Sequence, residues 1–288
     1  MSSAPQSPAP TVPRTAVERD VVPEDILINI TPQETRVAVV ADGAVQELHI
    51  ERSANRGLVG NIYIGKVVRV LPGMQSAFVE IRTERAAFLH VADIWQGRHS
   101  QGEEGRNGLP KPALVKPIEK ILTEGQPLMV QVIKDPIGSK GARLSTQISI
   151  AGRLLVYLPQ DPHIGISQRI EDEAERRALR ERLQQMVPPD EKGGFIIRTM
   201  AETATDEELA NDIAYLRRLW ANICERATTA SPPALLYHDL WLAERVLRDF
   251  ATRDTGRIIV DSRENFLKLQ RFAQLYTPNV ADKLEHYT

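Results

Sequence analysis

The sequence is poor in the residues that make cross-links, membrane spans and large aromatic cores. One cysteine, Cys224, among 288 residues excludes an internal disulfide framework and a CxxC zinc site. A lone thiol fits a reducing compartment. No stretch approaches the ~18 consecutive apolar residues of a membrane helix. The opening segment has no basic n-region and no apolar h-region, so it does not read as a secretory signal. Aromatics are only 5% of the chain, so each cluster of Phe, Tyr or Trp counts. The formal charge is −2, from 36 Lys+Arg against 38 Asp+Glu, which argues against a wholly basic, histone-like binder.

Apolar residues at 42% and charged residues at 26% allow a sizeable core and exclude global disorder. Pro5, Pro8, Pro10 and Pro13 among Ser, Ala and Thr mark a disordered arm over residues 1–24. Ordered patterning begins at Asp25. ILINI, TRVAVV and VQELHI read as an antiparallel meander turning at Asp42-Gly43. NIYIGKVVRVL, SAFVEI, AAFLHV, PLMVQVIKD and ARLSTQISI follow as five strands, with a long surface loop from Trp95 to Lys120. Five strands with no helix of normal length between them predict a small closed barrel, because closure removes sheet edges.

Helical signals dominate afterwards. Ala174, Ala178, Leu179, Leu183 and Met186 recur at helical spacing until Pro188-Pro189. Thr205 to Glu208 matches a capping box opening a second helix. Leu235 to Asp254 predicts a third, RIIVD a short buried strand, and Arg263 to Leu275 a last helix.

Residues 57–150 hold 12 Lys+Arg and 8 Asp+Glu, a local excess of four positive charges. A basic barrel with aromatics on its strands suits single-stranded nucleic acid, since cations follow phosphates while rings stack on bases. Tyr63, Phe78 and Phe88 lie on successive barrel strands, and His90 shares the face of Phe88. The residues alone leave two readings open for the phenylalanines, core packing and base stacking. GGFIIRT likewise puts the guanidinium of Arg198 beside the hydroxyl of Thr199 at a strand end. The pair could meet a terminal phosphate or form an ordinary exposed strand end.

GNIYIGKVVRVLPGMQSAFVEIRTERAAFLHVADI and EGQPLMVQVIKDPIGSKGARLSTQIS resemble an S1-type RNA-binding OB-fold. INITPQETRVAVV, IERSANRGLVGNIYIGKV, GSKGARL, GISQRIE, GGFIIRT, RVLRDFA and DKLEHYT extend the resemblance, from Ile26 to Thr288, to the ribonuclease E/G family, its ribonuclease G branch most closely. The resemblance implies an α+β multidomain fold, a split ribonuclease H-like scaffold with an inserted all-β S1 barrel and a 5′-sensor region. Its parts would be residues 25–56 and 243–288 for the scaffold, 57–146 for the barrel and 147–242 for the sensor.

By position, the family's RNA-contacting pair of phenylalanines and its lysine match Phe78, Phe88 and Lys140. Its sensor for a 5′-monophosphate matches Arg198 and Thr199, with Gly152 and Val156 as backbone contacts and Arg169 as a second basic position. Gln168 stands where ribonuclease E-like members carry Arg, which weakens that contact here. The implied partner is single-stranded RNA, preferably 5′-monophosphorylated, with no DNA and no membrane. The implied role is rRNA maturation and mRNA decay in the cytoplasm. The family cleaves with Mg2+ on paired aspartates in a DNase I-like domain, and a Zn2+ link pairs its protomers into homo-oligomers. Both would follow the EHYT segment, so this chain is expected to carry no catalytic residue, to bind neither ion and to be inactive alone. The alternative is a non-catalytic RNA-binding module.

The remaining candidates have plainer readings. Asp254, Asp261 and Glu264 flank RIIVD and could imitate a carboxylate metal cluster. His238, Trp241 and Trp220 read as core or interface residues, Cys224 as a small buried hydrophobe, and EDEAERRALRER as a solvated helix face.

Overall fold

A computed structural model describes residues 23–97, 116–251 and 255–288. The expected N-terminal arm, most of the Trp95–Lys120 loop and Asp254 lie largely or wholly outside those residues. Alternation of apolar and polar residues sets the first three strands. These are β1 (Glu24–Ile30), β2 (Glu34–Ala41) and β3 (Ala44–Arg52), paired as an antiparallel meander. Ile26 and Ile28 of β1 point into a core while Leu27 between them faces out.

The barrel consists of β4 (Ile62–Leu71), β5 (Ser76–Glu80), β6 (Ala87–His90), β7 (Pro127–Lys134) and β8 (Arg143–Ser145). Its strand order is β4-β5-β6-β8-β7, and antiparallel pairing of β4 with β7 closes it. Val67, Val79, Leu89, Val130, Val132 and Leu144 fill the interior. One end of the expected loop joins them: Ile118, in a short 3-10 turn, is fully buried in this core. An apolar side chain leaving water here outweighs the loop-like composition around it.

A four-stranded sheet follows. β9 (Ile150–Ala151), β10 (Leu155–Leu158), β11 (Ile164–Ile166) and β12 (Gly194–Ile197) run in the order β11-β12-β10-β9. The helices α1 (Glu173–Met186) and α2 (Asp206–Thr229) bury Leu179, Leu183, Leu209, Ile213 and Leu216 in the same core as Leu155, Phe195 and Ile197. The Thr205–Glu208 capping box forms, each residue satisfying the other's backbone amide.

The predicted third helix is much shorter than expected. Its first residues form a strand, β13 (Ala234–Tyr237), that pairs antiparallel with β4 of the barrel. The helix proper, α3, spans Leu242–Asp249. The exposed backbone edge of β4 captures the ALLY segment, so long-range pairing overrides local helix propensity.

The chain then returns to its first sheet. β14 (Thr255–Val260) pairs parallel with β1, α4 (Arg263–Tyr276) packs on the sheet, and β15 (Leu284–His286) pairs parallel with β14. The two ends of the described chain thus share one five-stranded sheet, β3-β2-β1-β14-β15. Val246, Leu247, Leu269 and Ala273 of α3 and α4 cover the face that carries Ile26, Ile28, Ile258 and Val260. No helix among the described residues is long and apolar enough to cross a membrane.

Candidate nucleic-acid interface

The outer barrel surface is organised by register. Phe78 of β5 lies directly opposite Phe88 of β6, with ring centroids 6.2 Å apart in an edge-to-face arrangement. Both rings are half-buried and stand outside the apolar core, whereas their strand neighbours Ala77, Val79, Ala87 and Leu89 are buried. Tyr63, by contrast, is a core residue whose hydroxyl meets the side-chain amide of Asn61.

The same register row continues in both directions. Arg69 of β4 pairs with Phe78, and Arg143 of β8 pairs with Phe88. Register partners share a face, so the row reads Arg69, Phe78, Phe88, Arg143 across four strands. Sequence reading missed the two arginines. A bulge between Val67 and Arg69 breaks the alternation that would have assigned Arg69 a face. Arg143 is anchored by Asp93 at 2.9 Å, while Arg69 is exposed.

Lys140 is exposed in the β7–β8 turn, where its backbone pairs with Ile137 in both directions. Two residues on, Ala142 accepts a hydrogen bond from the Phe88 amide at 2.7 Å. The turn is therefore held beside the strand that carries Phe88. His90 is half-buried, and its Nδ1 accepts from the Ala92 amide at 3.1 Å.

A second constellation gathers at one end of the four-stranded sheet. β11 and β12 are parallel, and β10 is antiparallel to β12. The ends of β11 and β12 and the start of β10 therefore meet, bringing Arg169, Arg198, Thr199 and the 152–154 loop together. Arg198 is half-buried. Its backbone amide donates to Leu154 O, and its Nη1 donates to the carbonyls of Gly152 and Arg153. Nε and Nη2 of Arg198 and the hydroxyl of Thr199 have no partner among the described residues. Arg169 and Gln168 are exposed on a turn. Arg176 of α1 holds that turn by donating to Ser167 O and Ile170 O at 2.8 and 2.9 Å. Arg176 is thus an anchor, a correction to the solvated helix face expected of its segment. Arg182 departs from that expectation too, bonding Asp206 and Ala204 O.

The loop between β9 and β10 is clamped from both sides. Its three carbonyls face Arg198, while the amides of Arg153, Leu154 and Leu155 donate to the carboxylate of Asp212 at 3.0, 2.9 and 2.8 Å. Asp212 is buried on α2, and burial pushes its carboxyl upward against the pull of the three amides. Gly152 is required here, because a Cβ at this position would stand 2.5 Å from Asp212 Oδ2. Both backbone groups of Gly152 are committed within the chain, the amide to Leu155 O at 2.7 Å and the carbonyl to Arg198. Val156 sits half-buried in β10 between Ala151 and Ile196. Asp212 carries no motif, and only the fold reveals it.

The other candidates resolve differently. Asp261 accepts from Asn29 Nδ2 and the Ile30 amide, and Glu264 pairs with Lys268. These two carboxylates therefore serve neighbouring structure, and Asp254 lies outside the described residues. No group of three His, Cys, Asp or Glu among the described residues could hold a metal ion. Trp241 is 46% exposed, which leaves it outside the core, with Arg56 4.2 Å over its ring and His238 stacked at 4.8 Å. Trp220 packs partly buried against the core around α2. Cys224 is half-buried, and burial raises its thiol, which disfavours the nucleophilic thiolate.

Comparison with known proteins supplies the context. The model of the Ribonuclease E/G family matches residues 149–288. The chain is 51% identical over 266 residues to Ribonuclease G of Escherichia coli (strain K12), covering 92% of this chain and 53% of that protein. It is 46% identical over 266 residues to Ribonuclease G of Haemophilus influenzae, covering 92% and 52%. Against Ribonuclease E of Haemophilus influenzae the identity is 35% over 264 residues, covering 91% and 27%. The chain spans about half the length of the ribonuclease G relatives. With its closed five-stranded barrel and identity on this scale along nearly its whole length, the chain belongs to the ribonuclease E/G family.

Proposed function

We propose that this chain is the RNA-binding and 5′-monophosphate-sensing part of a ribonuclease G-like endoribonuclease. The observation that carries the reading is Arg198 at the sheet end, its Nη1 held by the carbonyls of Gly152 and Arg153. A 5′-monophosphate brings about −1.5 to −2 charge and three acceptor oxygens. The free Nε and Nη2 of Arg198 form a planar fork suited to two of them, and the Thr199 hydroxyl to a third. Nη1 stays tied to the loop carbonyls, so the fork is pre-oriented before RNA arrives.

The barrel row supplies the sequence-tolerant part of binding. Phe78 and Phe88 stack on bases, and Lys140 with Arg69 follows phosphates. The two-ended five-stranded sheet, with helices on one face, supports a ribonuclease H-like scaffold. In the complete protein the resemblance assigns phosphodiester hydrolysis to magnesium held by aspartates past the EHYT segment, and pairing of protomers to zinc. The RNA targets would be rRNA precursors and messenger RNAs in the cytoplasm.

The test compares one single-stranded RNA carrying either a 5′-monophosphate or a 5′-hydroxyl. Charge-assisted hydrogen bonds are worth about 1.5–3 kcal/mol each before desolvation. The chain should prefer the monophosphate by roughly tenfold, about 1.4 kcal/mol, with Gln168 limiting the gain. Equal affinities for the two ends would defeat the sensor reading. The same sample, given Mg2+, should leave the RNA uncut.

A further inference from the structure

Arg248, in the RVLRD segment of α3, reaches across to the loop that aims Arg198. Its side chain is only 8% exposed, and all three of its nitrogens are donating. Nε and Nη2 grip the two carboxylate oxygens of Asp249 at 2.7 and 2.8 Å, a bidentate pair that fixes the plane of the guanidinium. Nη1 donates to Ala151 O at 2.7 Å. An arginine so buried and so committed holds the chain in place and does not meet RNA itself.

What it holds is seen one peptide group at a time, because each is a rigid plane carrying one C=O and the next residue's N–H. In the Ala151–Gly152 group the carbonyl accepts from Arg248, and the amide donates to Leu155 O at 2.7 Å. In the Gly152–Arg153 group the carbonyl accepts from Arg198 Nη1, and the amide donates to Asp212 at 3.0 Å. The Arg153–Leu154 group repeats that arrangement, at 3.2 Å to Arg198 and 2.9 Å to Asp212. In the Leu154–Leu155 group the carbonyl accepts from the Arg198 amide, and the amide donates to Asp212 at 2.8 Å.

Four successive planes are thus fixed at both ends, and the second and third aim Arg198 Nη1. The first and second share the Cα of Gly152, where no side chain limits rotation. Losing the grip on the first would therefore loosen the second. That grip comes from a different core. Val246 and Leu247 of α3 pack under the five-stranded sheet, whereas Leu154, Leu155 and Ile213 belong to the core of the four-stranded one.

We propose that Arg248, braced by Asp249, is a positioning residue for recognition of the 5′-monophosphate, tying the loop that aims Arg198 to helix α3. This rests on the sensor reading of Arg198. A residue that only stabilised the fold would change the folded fraction, which scales affinity for both RNA ends alike and leaves their ratio untouched. A positioning residue changes the ratio itself.

The experiment measures dissociation constants of one single-stranded RNA bearing a 5′-monophosphate or a 5′-hydroxyl, for the unmutated chain, Arg248→Met and Arg248→Lys. Met keeps the apolar stem but donates nothing to Ala151 O. Its preference for the monophosphate should fall from roughly tenfold to below about threefold, with the 5′-hydroxyl constant nearly unchanged. Lys keeps the charge, but its ammonium lacks the planar fork that serves Asp249 and Ala151 O together. It should lower the preference too, and it keeps the test open if the Met variant folds poorly. A folded variant that keeps the tenfold preference would overturn the proposal and leave the sensor reading standing. Equal affinities in the unmutated chain would defeat that reading, and this proposal with it.

Discussion

In the proposed reading, the barrel surface and the sheet-end site hold the same polyanion by opposite means. On the barrel, strand register alone displays Arg69, Phe78, Phe88 and Arg143 in a row, and neither phenylalanine belongs to the core. At the sheet end nothing is simply displayed. Arg198 is held by a loop, and the loop is held by a buried aspartate on a different element. A surface of the first kind tolerates substitution without unfolding. A site of the second kind ties recognition to stability, because the groups that orient the ligand-binding fork also satisfy buried backbone.

The sharpest way to break this contrast is Asp212→Ala. Three amides, two of them fully buried, would lose their acceptor, and denaturant unfolding should show a loss of about 3 kcal/mol or more. The preference for a 5′-monophosphate should disappear with it, as the loop no longer positions Arg198. A stability within 0.5 kcal/mol of the unmutated chain, about the range of an ordinary surface substitution, would mean that the clamp is incidental.

Phe78→Ala should behave in the opposite way. Single-stranded RNA binding should weaken by about 1–3 kcal/mol, while the melting temperature barely moves, since the ring is only half-buried. A barrel that unfolds while residual folded protein binds RNA normally would return Phe78 to the core.

Arg198→Ala comes next in size. It should erase the roughly tenfold end preference, about 1.4 kcal/mol, and leave binding of 5′-hydroxyl RNA nearly unchanged. Lys140→Ala should act more weakly still, reducing the salt slope of RNA binding by about one unit with little dependence on sequence.

The smallest effect concerns acid stability. Burial pushes Glu191 upward, but the Tyr157 hydroxyl at 2.6 Å, the Gly193 amide and Arg217 outweigh it and hold the carboxyl below its ordinary 4.5. A folded-state value below the unfolded one gives stability that is present above pH 4.5 and lost as pH falls through the lower folded value. Tyr157→Phe should therefore flatten the acid limb of a stability-against-pH curve. An unchanged limb would show that the contact does not hold Glu191 down.

How much of this was legible in the sequence follows from how local each feature is. The five barrel strands were readable because alternation is a nearest-neighbour signal, and α1, α2 and α4 because apolar spacing and side-chain caps announce them. β13 was not, because what makes ALLY a strand is the edge of β4, remote in sequence. Arg69 was hidden by a bulge that shifts its parity. The GGFIIRT motif advertised Arg198, but Asp212 sits on α2 looking like any polar helix residue. Its role exists only once the 152–154 loop is folded against it.

The central claim is that the barrel supplies affinity while the sheet end supplies preference. Its most direct test is the ratio of dissociation constants for 5′-hydroxyl and 5′-monophosphate RNA, measured in the Phe78→Ala chain. If the account holds, both constants rise together and the ratio stays near its unmutated value of roughly ten. A ratio that collapses toward one when only the barrel ring is removed would contradict it.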